Sequence, residues 1–80
     1  MASVRDYITI DAEIQNGQPV FKGTRVPVTT LFAHLEKGLA LDEFLEDFPS
    51  VTHSQAVAVL EMAEKIFTAR NIEQLYETTA

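Results

Sequence analysis

The sequence predicts a mainly α domain with short N-terminal β-strands: a three-helix, helix-turn-helix-like domain with a small β-hairpin. Three observations lead there. From Val28 onward, apolar residues recur at helical spacing in three blocks, divided by Gly38 and Pro49. Before Val28, the apolar residues are mostly β-branched or aromatic and lie on either side of Asn16-Gly17. Finally, 80 residues make a single domain, 1–80, with strands and loop over 1–28 and a helical part over 29–80.

Tyr7-Ile8-Thr9-Ile10 reads as a short strand. Asn-Gly is the strongest short-range turn signal, so Glu13-Ile14-Gln15 is expected to pair with Gln18-Val20-Phe21 across Asn16-Gly17. Isolated hairpins are marginal in water, so these strands must pack on helices or pair with another chain. Val26 precedes Pro27 and is therefore extended. Thr29 or Thr30 then caps a first helix, whose apolar face is Val28, Leu31, Phe32 and Leu35. Gly38 after Lys37 is a C-terminal stop signal.

The second helix covers about Leu41 to Phe48, with Leu41, Phe44, Leu45 and Phe48 inward and Asp42, Glu43, Glu46 and Asp47 in solvent. Pro49 ends it. Thr52 and Gln55 form a capping box for a third helix, expected from His53 to about Arg70. Its apolar positions spread over roughly 200° of the circumference, wider than one packing stripe requires. Ile72, Leu75 and Tyr76 predict a final helical turn.

Composition narrows the function. There is no cysteine, which excludes disulfides and cysteine-based zinc sites, and only His34 and His53 offer imidazole. No cofactor and no metal are expected. No phosphate-cradling glycine loop is present. His53 and Ser54 are neighbours, but successive helical residues point about 100° apart and make no dyad. His34 is expected to be solvated or capping, and the carboxylates of Glu43 and Asp47 to form a solvated face. The chain is expected not to be an enzyme. No apolar run approaches the roughly 20 residues of a membrane span, and the first residues lack a signal-peptide core. A cytoplasmic protein without membrane association is expected.

The formal net charge is −6. Residues 1–30 hold three basic and three acidic groups, whereas residues 31–80 hold three basic and nine acidic groups. Phosphate contacts supply most non-specific DNA affinity, so DNA binding needs a local patch. The candidate lies around Lys22, Thr24 and Arg25. A second candidate is Thr52, His53, Ser54 and Gln55, at the start of the helix that follows a short turn, where a helix-turn-helix protein enters the major groove. Gln and Ser can address base edges; the same four residues also serve as an ordinary helix start. Arg25 can grip a phosphate or carboxylate. Its structural alternative is an ion pair with the second helix or bonds to loop carbonyls, and on that footing Arg25→Ala is expected to cost stability.

The run Gly17-Gln18-Pro19-Val20-Phe21-Lys22-Gly23-Thr24-Arg25-Val26-Pro27-Val28, followed by Leu31, Gly38 and Phe48-Pro49, resembles the bacterial family called domain of unknown function 433. The family pattern is roughly G-x-P-x-[IV]-x-G-T-R-[IV]-x-V, a helix ending in Gly, a short acidic helix closing on [FY]-P, and a long helix. The resemblance covers about residues 7 to 70. The chain departs from the pattern at Ala40, where a polar cap is commoner, and at Phe21, where a smaller aliphatic residue is commoner. The resemblance implies a small helix-turn-helix-type domain that is antitoxin-like, encoded beside a PIN-type nuclease-like toxin. Its two implied tasks are binding that toxin and binding promoter DNA.

The expected function is therefore a non-enzymatic antitoxin-like regulator with a PIN-type toxin and its own promoter DNA as partners. The alternative is a protein-interaction or homo-oligomerisation module with no DNA binding, which the acidic charge favours because it suits a basic partner. A homodimer is expected, since so small a chain gains stability from buried interface. Its expected interface draws on Tyr7, Ile8, Ile10, Ala58, Met62, Ile66 and Ala69. Met62→Glu is the substitution expected to dissociate it if the long helix is the contact.

Overall fold

Val20 and Phe21 are bonded on both sides, and the rest of the domain is arranged around them. In the computed structural model, which describes residues 3–69 and 72–79, two short strands, β1 (Ile8–Thr9) and β2 (Val20–Phe21), pair antiparallel. The register sets Ile8 opposite Phe21 and Thr9 opposite Val20. On its other side β2 meets Val26 and Pro27: the Phe21 N–H donates to the Val26 carbonyl at 3.0 Å, and Val20 bridges Pro27. Four helices complete the domain: α1 (Val28–Glu36), α2 (Leu41–Asp47), α3 (His53–Thr68) and α4 (Ile72–Thr79).

The mainly α architecture with short N-terminal strands is as expected, but the hairpin differs. Glu13-Ile14-Gln15 forms no strand. Asn16-Gly17 sits in a tight 3-10 turn, Gln15–Gly17, where Gln15, Asn16 and Gly17 all take positive φ (50°, 58° and 83°). The Asn-Gly signal correctly marked left-handed backbone, but the turn closes on itself. The Gly17 N–H bonds the Ile14 carbonyl and the Gln18 N–H bonds the Gln15 carbonyl. The partner of β2 is instead the earlier segment, which keeps only Ile8–Thr9 of the predicted four-residue strand. The strands pair within one chain.

The first helix starts earlier than Thr29. Pro27 is its N-cap, with no side-chain cap, and the otherwise orphan Val28 N–H donates to the Pro19 carbonyl at 3.0 Å. A backbone partner replaces the threonine cap. At its C-terminus Gly38 adopts φ 84°; its N–H bonds the Leu35 carbonyl and the Leu39 N–H bonds the His34 carbonyl. This is the Schellman arrangement that glycine favours. The start of α2 has no side-chain cap either, because Ala40 occupies that position.

The core is small. Val20, Phe21, Leu31, Phe44, Val51, Ala56 and Val59 are buried, one or two from each element of the first three helices, β2 and the α2–α3 turn. Phe21 is completely buried and its ring lies 6.0 Å from that of Phe44, so the large residue at this position fills the space between β2 and α2. Phe44 in turn lies 5.1 Å from Phe48. His34 is packed rather than solvated: its ring stands edge-on to both Phe44 and Phe48 at 5.5 Å. Its Nδ1 lies 3.0 Å from the Thr30 carbonyl; a carbonyl only accepts, so Nδ1 donates and Nε2 faces the Asp47 carboxylate at 3.6 Å.

The third helix ends at Thr68, and Ala69 is extended (φ −74°, ψ 154°). The predicted terminus at Arg70 lies outside the described residues. The final helical turn expected at Ile72, Leu75 and Tyr76 is present and longer, as α4. Among the described residues, no helix is long and apolar enough to cross a membrane.

Candidate functional site

The segment from Pro19 to Val28 makes a tight, internally bonded loop. After β2 the chain reverses over Phe21-Lys22-Gly23-Thr24, closed by the Thr24 N–H on the Phe21 carbonyl at 3.0 Å. Gly23 takes φ 79° in open space, so its backbone angle and not its small size requires glycine. That angle is the demand of a type II turn. The Thr24 hydroxyl donates to the Phe21 carbonyl at 2.8 Å and accepts from the Val26 N–H at 3.0 Å. Thr24 is half-buried and its hydroxyl is engaged inside the turn. Its place in the motif is thus to hold the turn.

Lys22 and Arg25 flank that turn and are exposed. Neither forms an ion pair among the described residues, where the one such contact is His34 with Asp47. The expected pairing of Arg25 with the second helix is absent, because the carboxylates of α2 serve His34 and solvent. Its guanidinium is held out on a stiff loop.

The start of α3 lies against this loop. The capping box is present in both directions: the Gln55 N–H donates to Thr52 Oγ1 at 3.1 Å, and the Thr52 N–H donates to Gln55 Oε1 at 2.9 Å. The remaining half of the Gln55 amide reaches across 33 residues of sequence, where Nε2 donates to the Lys22 carbonyl at 2.9 Å. One side chain therefore joins the two candidate segments. Thr52 and Gln55 are spent on that junction. His53 and Ser54, both exposed, share the free first turn of α3, which carries no acidic residue. The helix dipole places partial positive charge there. Lys22 and Arg25 on the loop and His53 and Ser54 at the start of α3 are all exposed, on two segments that the Gln55 bond joins. No group of three or more His, Asp or Glu residues able to hold a metal ion occurs among the described residues.

Two apolar surfaces lie elsewhere. At the N-terminal end, a groove of about 390 Å³ is lined by Val4, Arg5, Ile8, Thr9 and Ile10. A second groove, of about 260 Å³, is lined by Ser3, Val4, Tyr7, Ala58, Glu61, Met62 and Lys65. Val4 and Ile10 are 48% and 67% exposed. Thus Tyr7, Ala58 and Met62 do converge, and Ile8 and Ile10 lie on the adjoining groove. Met62 also packs against the core, so Met62→Glu would perturb folding as well as any contact. Ile66 lies on a second surface: Ile66 and Phe67, 60% and 67% exposed, project from the C-terminal half of α3. Ala69 is half-buried, just past the end of that helix. The wide apolar arc of α3 was the sequence signal for both surfaces, but its period alone could not divide them. Val4 carried no signal.

The family described as "Protein of unknown function (DUF433)" matches residues 8–63, which include β1, β2, α1, α2, the loop of Lys22 and Arg25 and the start of α3. "Uncharacterized protein y4eO" of Sinorhizobium fredii is 37% identical over 51 residues. That stretch is 64% of this chain and 23% of the relative, so the chain spans less than a quarter of that protein's length. No solved structure matches. The GTR turn with its cations, the glycine-ended α1 and the Phe48-Pro49 stop of α2 all fall within the matched span, and the chain belongs to the DUF433 family.

Proposed function

We propose that this chain is a non-enzymatic, antitoxin-like regulator. It binds a PIN-type toxin through its acidic, apolar C-terminal face and contacts its own promoter DNA through the face around Lys22, Arg25, His53 and Ser54. The observation that carries the proposal is the separation of two chemically different surfaces. Ile66 and Phe67 stand exposed on α3, where the exposed charges are Glu61, Glu64 and the single cation Lys65, and α4 adds the exposed Glu73 and Glu77. An apolar patch with an acidic rim complements a basic, nucleic-acid-handling protein. The loop of Lys22 and Arg25 lies at the other end of α3. The spacing of α2, the short turn 48–52 and α3 fits the helix-turn-helix format, in which the start of the second helix meets the groove.

A reading without DNA is favoured by one observation: Gln55, the side chain best suited to adenine, is bonded on both ends of its amide to the protein itself. Two experiments separate the readings. In the first, the chain is co-expressed with the product of its adjacent gene. Co-purification, and loss of the complex in Phe67→Lys, supports the toxin partner; no complex refutes it. In the second, the gene's own upstream DNA is titrated by gel shift across a salt series. Each neutralised phosphate contributes a slope of about −0.9, so Lys22 and Arg25 imply roughly −1.8 per chain in log affinity against log salt. No shift at low salt refutes the DNA contact and leaves the interaction module.

A further inference from the structure

We propose that Asn16 is a latent deamidation site: the folded turn holds its side chain inert, and opening of that turn commits the chain to a backbone lesion that bars return to the native bonds. The inference is independent of the proposed function.

The reacting groups belong to two neighbours. In an Asn-Gly pair the backbone nitrogen of Gly17 can attack Asn16 Cγ, because glycine has no side chain to shield it. The N–Cγ bond forms and the Cγ–Nδ2 bond breaks. Ammonia leaves, carrying the proton that the Gly17 nitrogen gave up. The resulting five-membered succinimide then takes up one water. Cleavage of its N–Cγ bond gives aspartate, and cleavage at the Asn16 main-chain carbonyl gives isoaspartate, in which the chain runs through the side chain. Nothing is oxidised or reduced, and water is the only co-reactant. Asn16 is exposed, so water and base reach it.

The folded turn places the nucleophile on the wrong side. Ring closure needs the Gly17 nitrogen nearly eclipsed with Asn16 Cβ about the Cα–C bond. In an L-residue Cβ stands a third of a turn from the residue's own nitrogen, in the sense that ψ 30° leaves the Gly17 nitrogen almost anti to Cβ. Rotation to the reactive angle breaks two hydrogen bonds, from the Gly17 N–H to the Ile14 carbonyl at 3.0 Å and from the Gln18 N–H to the Gln15 carbonyl at 3.3 Å. The first of these also holds the proton that must leave before attack. Local opening therefore precedes reaction, and exposed turns open at free energies well below that of global unfolding.

The isoaspartate product does not fit where asparagine did. It adds one carbon to the main chain between the Ile14 carbonyl and the Gly17 N–H, so the turn cannot close again in the same bonds. Only Gln18 and Pro19 separate this point from the buried Val20, and the Pro19 carbonyl accepts from the Val28 N–H at the start of α1. The lesion thus lies beside the strand around which the domain is built.

Peptide mapping by mass spectrometry tests the inference on the whole chain, aged in mildly alkaline buffer and in the same buffer with guanidinium chloride. Conversion reads as a gain of one dalton on the peptide that holds Asn16, with isoaspartate separated by chromatography. Asn71, followed by the branched Ile72, is the internal reference. Asn16 should convert roughly tenfold or more slowly in the folded chain than in the denatured one, a factor that an opening cost of only about 1.4 kcal/mol supplies. Gln15→Pro cannot keep φ 50°, so its turn opens and its conversion in buffer should approach the denatured rate, with circular dichroism showing that the helices remain. If that variant loses its helices, the two wild-type rates decide alone. The isoaspartate chain returned to buffer should melt below the wild type. Equal wild-type rates in buffer and in denaturant overturn the inference. So does a folded Gln15→Pro that converts as slowly as the wild type, or an isoaspartate chain with the wild-type Tm.

Discussion

Gln55 offers a test of whether the turn and the long helix are joined as the structure has them. Its side chain makes two separable contacts: Oε1 caps the Thr52 N–H at 2.9 Å, and Nε2 donates to the Lys22 carbonyl at 2.9 Å. Gln55→Ala removes both. Gln55→Glu keeps an acceptor for the Thr52 N–H but has no donor for Lys22. A net hydrogen bond is worth about 0.5–1.5 kcal/mol, and these partly solvated bonds belong at the lower end. Gln55→Ala should therefore cost about 1–1.5 kcal/mol, and Gln55→Glu about half of that. The added carboxylate in the first turn gains a little from the helix dipole, which keeps the Glu variant the more stable of the two. For a domain this size each kcal/mol shifts Tm by roughly 4–8 °C, so the Ala variant should melt about 4–12 °C lower. Urea denaturation followed at 222 nm reads both values. If Gln55→Glu is as stable as wild type in high salt, where the dipole gain is screened, the Lys22 tether contributes nothing. If it is as unstable as Gln55→Ala, the cap contributes nothing. Either result refutes the two-contact account.

Two further substitutions separate surface from framework. Arg25→Ala should leave stability within about 0.5 kcal/mol of wild type, because the side chain is exposed and unpaired among the described residues; a drop in Tm of several degrees would return Arg25 to a structural role. His34→Ala should cost about 2 kcal/mol, because it removes edge contacts to Phe44 and Phe48 and the bond to the Thr30 carbonyl; equilibrium urea unfolding checks it, and a loss under about 0.5 kcal/mol would show that this histidine does not bind α1 to α2.

The helical part of the fold was legible because its signals are local. Gly38, Pro49 and the Thr52–Gln55 box each report on backbone a few residues away, and α1, α2 and α3 end or begin where they point. The hairpin was not, because Asn16-Gly17 specifies positive φ but not what the flanking chain pairs with. Ile8 finds Phe21 across a loop, a choice made by burial of Phe21 rather than by turn chemistry. The same distinction holds at the candidate site. The sequence pointed to Lys22, Thr24 and Arg25 as one group, yet they divide by role: the Thr24 hydroxyl turns inward and the two cations turn outward. From sequence His34 reads as solvated or capping, because one imidazole among apolar neighbours has no period of its own. Its place between Phe44 and Phe48 depends on the angle at which α2 returns to α1, which no local pattern encodes.

The bonding of the loop bears directly on how well two cations can serve as a binding face. A flexible loop would lose conformational freedom on contact with any anionic partner, at roughly 0.5–1.5 kcal/mol for each rotamer-rich side chain and more for ordered backbone. Here the backbone part of that cost is already met in folding. The Phe21 carbonyl takes both the Thr24 N–H and the Thr24 hydroxyl, the Lys22 carbonyl is bonded to Gln55, and the Val26 N–H is bonded to Thr24. Thr24 fixes two of these groups and Gln55 the third, and Pro27 stiffens the exit. Lys22 and Arg25 therefore extend from a preset backbone, beside a helix start already closed by its own cap. A face of only two cations gains more from such preorganisation than a richer one would, since it has few contacts from which to recover an ordering cost.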